Sequence, residues 1–370
     1  MNAEREPGRP TIRFVEDPAE FASLEAPWRN LDAHPAVRPF QQFAWAAAWV
    51  HTIGAAGGWR LKVATLWQDG RLVAVLPLCI RRYKGLRVLE WIAARVTDYC
   101  GAIVDPDFDE LWALRTLWEA IVRHGGFDWA RLNHVRTDTK LFSLLDSFYP
   151  WTETLEDAGG IPIAWASGTE WLQQQTPGMR DRVKYNSRRM LKAGFTVRLC
   201  NTAASQERII DTLVAQKRPW LAARGLSSFI DEPGGVEFLQ RAVAASAARG
   251  ELHLSTVENG ERIAACDLAF VRDGIIYSYI ASFDPEFHKL SFGRVLTDSL
   301  LMWACDNGMR RLDLLLGAHD YKTKYNCTLE PVRTLVVPRD LIGRAALLVY
   351  RRKRARPLRQ PAWFNVGKHR

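Results

Sequence analysis

Apolar positions along this chain follow two rhythms: alternation over short β-branched runs, and spacing of three and four over longer ones. The most regular stretch runs from Ile275 to Asn326. Ile275–Ala281 is β-branched and aromatic, and the turn residues Arg272-Asp273-Gly274 precede it. Phe292, Val295, Leu296, Leu300, Trp303 and Ala304 then recur at helical spacing behind Ser291, a good N-cap. Asn307-Gly308 closes the helix, and Leu312–Leu316 reads as a compact apolar strand. Two short strands joined by such a helix predict a βαβ unit with a right-handed crossover.

The first half shows the same order. Thr11–Val15 predicts a strand, and Ala19–Asp32 and Pro39–Ile53 predict helices. Trp59–Trp67 and Leu72–Tyr83 predict strands around the Gln68-Asp69-Gly70 turn. After Lys84-Gly85 come a strand over Leu86–Ile92, an extended run to Val104, a helix over Pro106–His124, a strand over Phe127–His134 and a helix over Thr139–Phe148. In the second half, Glu251–Val257, the Glu258-Asn259-Gly260 turn and Ile263–Val271 lead into the βαβ stretch. Gly70 thus corresponds to Gly260, Gly85 to Gly274 and Gly125-Gly126 to Gly308. The fold class is mixed α/β: two similar domains in tandem, each a mostly antiparallel sheet flanked by helices. The expected boundaries are 1–165, a basic helical linker over 166–200, a second domain over 201–340 and a basic tail over 341–370.

Charge refines this picture. The chain has 50 basic and 41 acidic residues. Nine of the basic residues follow Asp340 and no acidic residue does, so the body is neutral and the tail carries the excess. Leu341, Ile342, Ala345, Leu348 and Val349 fall at helical spacing ahead of Arg351-Arg352-Lys353-Arg354. That pattern fits either a peripheral anchor on an anionic membrane or a docked helix with a basic end. A second basic run, Arg180 to Lys192, is either a solvated helix face or an electropositive wall for a phosphate-rich substrate. No apolar run is long enough to span a bilayer, and Met1–Pro10 lacks a signal-peptide core, so a cytoplasmic location is expected. The six cysteines show no C-x-x-C pairing and read as reduced thiols, mostly buried. Trp45, Trp49, Trp112 and Trp303 sit at core spacing, which favours packing over sugar-binding platforms.

Several chemistries are excluded by motif. There is no G-x-x-x-x-G-K-[ST] loop, no G-x-S-x-G elbow and no H-E-x-x-H, so nucleotide hydrolysis, α/β-hydrolase chemistry and a metal site are not expected. The start of the 291–307 helix is more suggestive. Lys289 and Arg294 stand where a helix seeking only stability would carry Asp or Glu, and Gly293 gives a ligand close access to the backbone. Either the helix start simply faces water, or a phosphate-bearing ligand supplies the missing negative charge. Carboxylates and other groups projecting nearby are Asp267, inside an apolar strand, then Tyr279, Asp284 and His288. Asp267 is either a structural carboxylate or a base. His288 is either an exposed loop histidine or a base.

The order strand, Ser291-Phe292-Gly293-Arg294, helix, Asn307-Gly308, Leu312-Asp313-Leu314, then Tyr321-Lys322-Thr323-Lys324-Tyr325 resembles the CelD-like acyltransferases of the GNAT superfamily. These are related to the Fem-type transferases of peptidoglycan precursors. The resemblance is strong over 250–326, fair over 40–200 and absent from the last thirty residues. It implies a GNAT-type acyltransferase using acetyl-CoA or another acyl-CoA, without a metal. The acceptor would be an amine or hydroxyl of a saccharide or cell-envelope precursor. It also implies that the pyrophosphate lies on Lys289, Ser291, Phe292, Gly293 and Arg294, of which only Gly293 matches the superfamily's turn pattern. Lys322, with Tyr321 beside it and Lys324 second, would match the Fem-type lysine at the reacting centre. Asp98-Tyr99 would occupy the corresponding place in the first domain, with Asp98, Tyr99, Tyr279, Asp284 and Lys324 holding substrate. Two alternatives stay open: a Fem-like transferase taking its acyl group from aminoacyl-tRNA, no other nucleic acid being expected as a partner, and a non-catalytic scaffold held at a membrane. The tail would put the protein peripherally at the inner membrane.

Overall fold

A computed structural model describes residues 9–148, 152–200, 202–317 and 325–354. Among these, the residues up to Glu156 group with those from Pro331 onward as one compact unit, and Asp157–Glu330 form a second. Both are mixed α/β, with mostly antiparallel sheets flanked by helices.

In the first unit, Thr11–Val15, Val63–Gln68, Arg71–Leu76 and Ile103–Val104 form one sheet. Leu78–Tyr83 pairs antiparallel with Leu86–Trp91, which pairs in parallel with Trp129–Arg136. The single strand expected over Leu72–Tyr83 is therefore two strands in different sheets, broken at Pro77. Proline has no N–H for the ladder, and its carbonyl accepts instead from Ile92 N–H at 2.9 Å. The helix Glu110–His124 crosses over between the parallel strands, capped by Asp109, whose side chain accepts from the Trp112 N–H at 3.0 Å. Trp112 itself is exposed rather than in the core, tilted against Phe108.

The second unit repeats the device. Thr196–Leu199, Leu252–Glu258, Ile263–Arg272 and Ile275–Phe283 form an antiparallel run, and Ile275–Phe283 then pairs in parallel with Arg311–Leu316. The helix Phe292–Asp306 connects them, ending at Asn307 and at Gly308 with φ 64°. Its Leu300, Leu301, Ala304 and Cys305 pack with Ala269, Ile276 and Leu312. Its Phe292, Val295 and Leu296 pack with Val257, Ala264 and Ala265. Residues 166–200, expected as a linker, carry two helices, Gly168–Gln174 and Pro177–Lys192. Their Trp171, Val183 and Met190 are part of these two cores.

The two-residue turns legible in sequence are present. Asp69-Gly70, Lys84-Gly85 and Asp273-Gly274 all have positive φ at both residues, which tight hairpin turns of this hand require. Of the six cysteines, all are free thiols; Cys79, Cys266 and Cys305 are buried and Cys100, Cys200 and Cys327 only partly so.

Candidate active site

The site is set by a failure of pairing. Among the described residues, the parallel ladder between Ile275–Phe283 and Arg311–Leu316 runs through Ile275↔Arg311, Ile276↔Leu312 and Tyr277↔Asp313. Beyond it, both strands are irregular. The register with the neighbouring strand steps from Leu268↔Ile280 to Ala269↔Ser278, which makes Tyr279 the extra residue of a bulge. On the other strand the register jumps between Asp313 and Leu316, and Leu315 has φ 58°. The Asp313 carboxylate accepts the Leu315 N–H at 2.8 Å and holds that kink, a structural role. The two strands therefore part just where each is bent, as a cleft at the carboxyl end of a parallel pair requires.

At the end of Ile275–Phe283 the chain passes through the short turn Pro285–Leu290 into the Phe292–Asp306 helix. Ser291 is the N-cap by position, but it sits in the left-handed region, φ 56°, ψ 38°, and its side chain makes no capping bond. The first turn has no acidic residue. The Ser291 N–H reaches the His288 carbonyl at 3.4 Å and the Arg294 N–H the Ser291 carbonyl at 2.9 Å, which leaves the Phe292 and Gly293 N–H groups open, and no acid in the first turn compensates the positive end. Lys289 and Arg294 are exposed beside it. A Cβ placed on Gly293 would meet only the Phe283 ring, at 3.8 Å, an ordinary contact. Nothing in the fold therefore demands glycine there, and the space above its backbone is open.

Phe292 lies where its apolar helical spacing puts it. Its side chain is buried against Phe195 and Phe287, with ring centroids 5.1 and 5.7 Å away, so only its backbone faces the turn. Asp284 is engaged too: it caps the turn by accepting the Glu286 N–H at 3.0 Å and pairs with Arg262, which also holds Glu286. His288 is exposed, its Nδ1 3.0 Å from the Pro285 carbonyl. Asp98 and Tyr99 lie in the first unit. Tyr99 is a core residue there, flanked by the Arg38 and Arg136 guanidinium groups at 5.6 and 5.2 Å. Tyr321, Lys322 and Lys324 lie outside the described residues.

Asp267 is on an interior strand, not at a sheet edge, and is buried. Its Oδ2 accepts from the Ser278 hydroxyl at 2.9 Å, while Oδ1 has no hydrogen-bond partner. Burial raises its pKa to about 6, with the Ser278 bond and nearby Lys217 pulling the other way. The register pairs Ser255 with Asp267 and His253 with Ala269, which puts these polar groups on the face covered by the Phe292–Asp306 helix. Ser255 Oγ and both His253 ring nitrogens lack partners. The His253 ring lies 4.4 Å from Trp303, and burial lowers its pKa to about 4, so it is neutral at pH 7.

Sequence reading missed Ser278, His253, Ser255 and Lys217, which only strand register and packing relate to Asp267. It also missed a buried pair, Tyr325 and Asp298, joined by the part-buried Arg182. Tyr325 donates to Asp298 at 2.6 Å, and Arg182 reaches Asp298 at 3.1 Å. Burial and the Asp298 carboxylate keep the Tyr325 phenol protonated well above its usual range. A carboxylate within the apolar run of the 292–306 helix was the legible signal.

Residues 177–323 match the family model described as an acetyltransferase (GNAT) domain. A solved structure of a tandem GNAT protein from the clavulanic acid biosynthesis pathway is 10% identical, with 89% of this chain and 99% of that chain covered at a TM-score of 0.50. The fold is a GNAT fold. FemX aligns over 92% of this chain and 99% of its own, with 13% identity and a TM-score of 0.59. L-PGS from Bacillus licheniformis aligns over 91% and 96%, with 12% identity and a TM-score of 0.56. No curated protein sequence matches the chain. In this GNAT fold the parting strands, the bulge at Tyr279 and the open helix start all fall within the matched segment.

Proposed function

We propose that the protein is a GNAT-type acyltransferase that moves an acyl group from acetyl-CoA or another acyl-CoA to an amine or hydroxyl of a saccharide or cell-envelope precursor. One observation carries this reading: the parallel strands part after Tyr277 and Asp313, and the strand so freed leads to a helix start with open backbone and no acid. A pyrophosphate fits that start, with Lys289 and Arg294 beside it and room above Gly293. Bound there, the donor supplies an activated acyl carbonyl. The chain's own part is to accept the acceptor's proton. Ser278 is half-buried and can face the cleft, and it already donates to Asp267, whose raised pKa suits a base near neutrality. Lys322, with Tyr321 and Lys324, is assigned to the reacting centre on the residue resemblance alone, as is the finer placement among CelD-like acyltransferases.

A second reading, transfer from aminoacyl-tRNA, is favoured by one feature. Arg180, Lys184, Arg188 and Lys192 recur every four residues on Pro177–Lys192, and among the described residues none of them pairs with a carboxylate. Like charges at that spacing destabilise a helix unless something anionic answers them. Calorimetric titration with acetyl-CoA and with tRNA separates the readings. Saturable acetyl-CoA binding supports the first, tRNA binding alone selects the second, and binding of neither removes both and leaves the scaffold. Mass spectrometry of an envelope extract incubated with protein and acetyl-CoA then identifies the acceptor.

A further inference from the structure

The helix Leu341–Arg354 belongs to the first unit and is apolar on two sides. One side docks it. Leu347 packs with Val88, Trp129 and Val336, and Gly343 lies so close to the Asp128 carbonyl that any Cβ would collide with it. Asp340 caps the start, its carboxylate accepting the Gly343 N–H at 2.9 Å. The other side is open. Leu341 is 79% exposed, Ile342 61%, Leu348 61% and Val349 54%. At about 100° per residue, these four and Ala345 fall opposite Gly343 and Leu347. The outward stripe therefore adds nothing to docking, and a fold seeking only solubility would have made it polar.

We propose that this helix lies on an anionic phospholipid surface, with the outward stripe in the interface and the basic residues on the headgroups. The inference is independent of the acyl-transfer reading. Charge selects the occupant. Arg344 is exposed, the helix ends in Arg351-Arg352-Lys353-Arg354, and by sequence four more basic residues and no acidic one follow. A second copy would bring two such basic segments together, and a nucleic acid would leave the apolar stripe unused. An anionic bilayer answers both features at once. No described helix is long and apolar enough to cross a membrane, so the helix would lie in the surface rather than span it.

Sedimentation of the full chain with vesicles tests this, using phosphatidylcholine alone and phosphatidylcholine mixed with phosphatidylglycerol. Binding to the mixed vesicles only, weakened by salt, is expected. The double variant Ile342→Ser/Leu348→Ser changes only exposed side chains and should keep the wild-type circular dichroism while binding at least tenfold more weakly. Arg351→Gln/Arg352→Gln should weaken binding to the mixed vesicles as well. Wild-type protein that stays in the supernatant, or variants that bind unchanged, would overturn the proposal. So would a lipid-free dimer that the Ile342→Ser/Leu348→Ser variant abolishes, which makes a second copy the occupant. RNA that binds the tail with no effect from the Ile342→Ser/Leu348→Ser change would overturn it too.

Discussion

The Ser278 hydroxyl donates to the Asp267 carboxylate over 2.9 Å, one residue beyond Tyr277, where the parallel ladder of the second unit ends. The pair joins a buried carboxylate to the point at which the sheet opens. If Asp267 takes the proton, kcat/KM should rise with pH along a limb centred near 6, the pKa to which burial brings it. Asp267→Asn should abolish that limb. Ser278→Ala should move it upward, because the lost hydrogen bond is one that lowers the Asp267 pKa. A limb unmoved in both variants would exclude the pair from proton transfer.

Stability should show the same burial with the sign reversed. The folded pKa of Asp267, about 6, lies above the 3.8 usual for an aspartate in water. The stability tied to its protonated form is complete below about pH 3.8 and is lost as pH rises through 6. Asp267→Asn should therefore gain up to about 3 kcal/mol over wild type in urea unfolding at pH 8, and little at pH 4.

His253 acts in the opposite direction. Its folded pKa, about 4, lies below the 6.5 usual for a histidine in water, so stability present above pH 6.5 drains away as pH falls towards 4. His253→Phe keeps an aromatic ring on Trp303 and removes the titration. Between pH 7.5 and pH 5 its stability should fall by about 2 kcal/mol less than that of wild type. Equal losses in the two proteins would show that His253 is already solvated in the folded state.

Gly293 separates ligand contact from fold. Alanine there meets only the Phe283 ring at 3.8 Å and sits in the first turn of a helix, so thermal stability should hold or rise slightly. Acyl-CoA affinity should nonetheless drop if the pyrophosphate lies on that backbone. Arg294→Ala should weaken acyl-CoA binding about tenfold or more, as losing a charge-assisted hydrogen bond worth about 1.5–3 kcal/mol would. Unchanged calorimetric affinity in both variants would remove the donor site from this turn.

Lys322→Ala provides a fifth check. A group that stabilises developing charge is worth about 10²–10³ in rate. A fall in kcat of that size with little change in thermal stability is expected, whereas a loss under about threefold places Lys322 outside the site.

Local chemistry was enough to place much of this architecture. The spacing from Phe292 to Ala304 laid out the crossover helix, and Asp69-Gly70, Lys84-Gly85 and Asp273-Gly274 marked turns whose positive φ only a few residue types tolerate. These signals are carried by neighbours within a few residues of one another. Pro77 could have been read in the same way, since its missing N–H breaks a ladder wherever it falls. What sequence could not supply was register. That Ser255 stands opposite Asp267, that Tyr279 is an extra residue, and that pairing stops at Tyr277↔Asp313 all depend on how distant segments align. A side chain's face, burial and pKa change with a one-residue slip, and the strand itself does not record which slip occurs. The sequence thus determined which elements form and where charge gathers. Only the tertiary structure decided that Asp267 is buried with one oxygen unanswered, that Tyr99 is core, and that the outward stripe of Leu341–Arg354 is left open, because burial is a property of what packs against a residue.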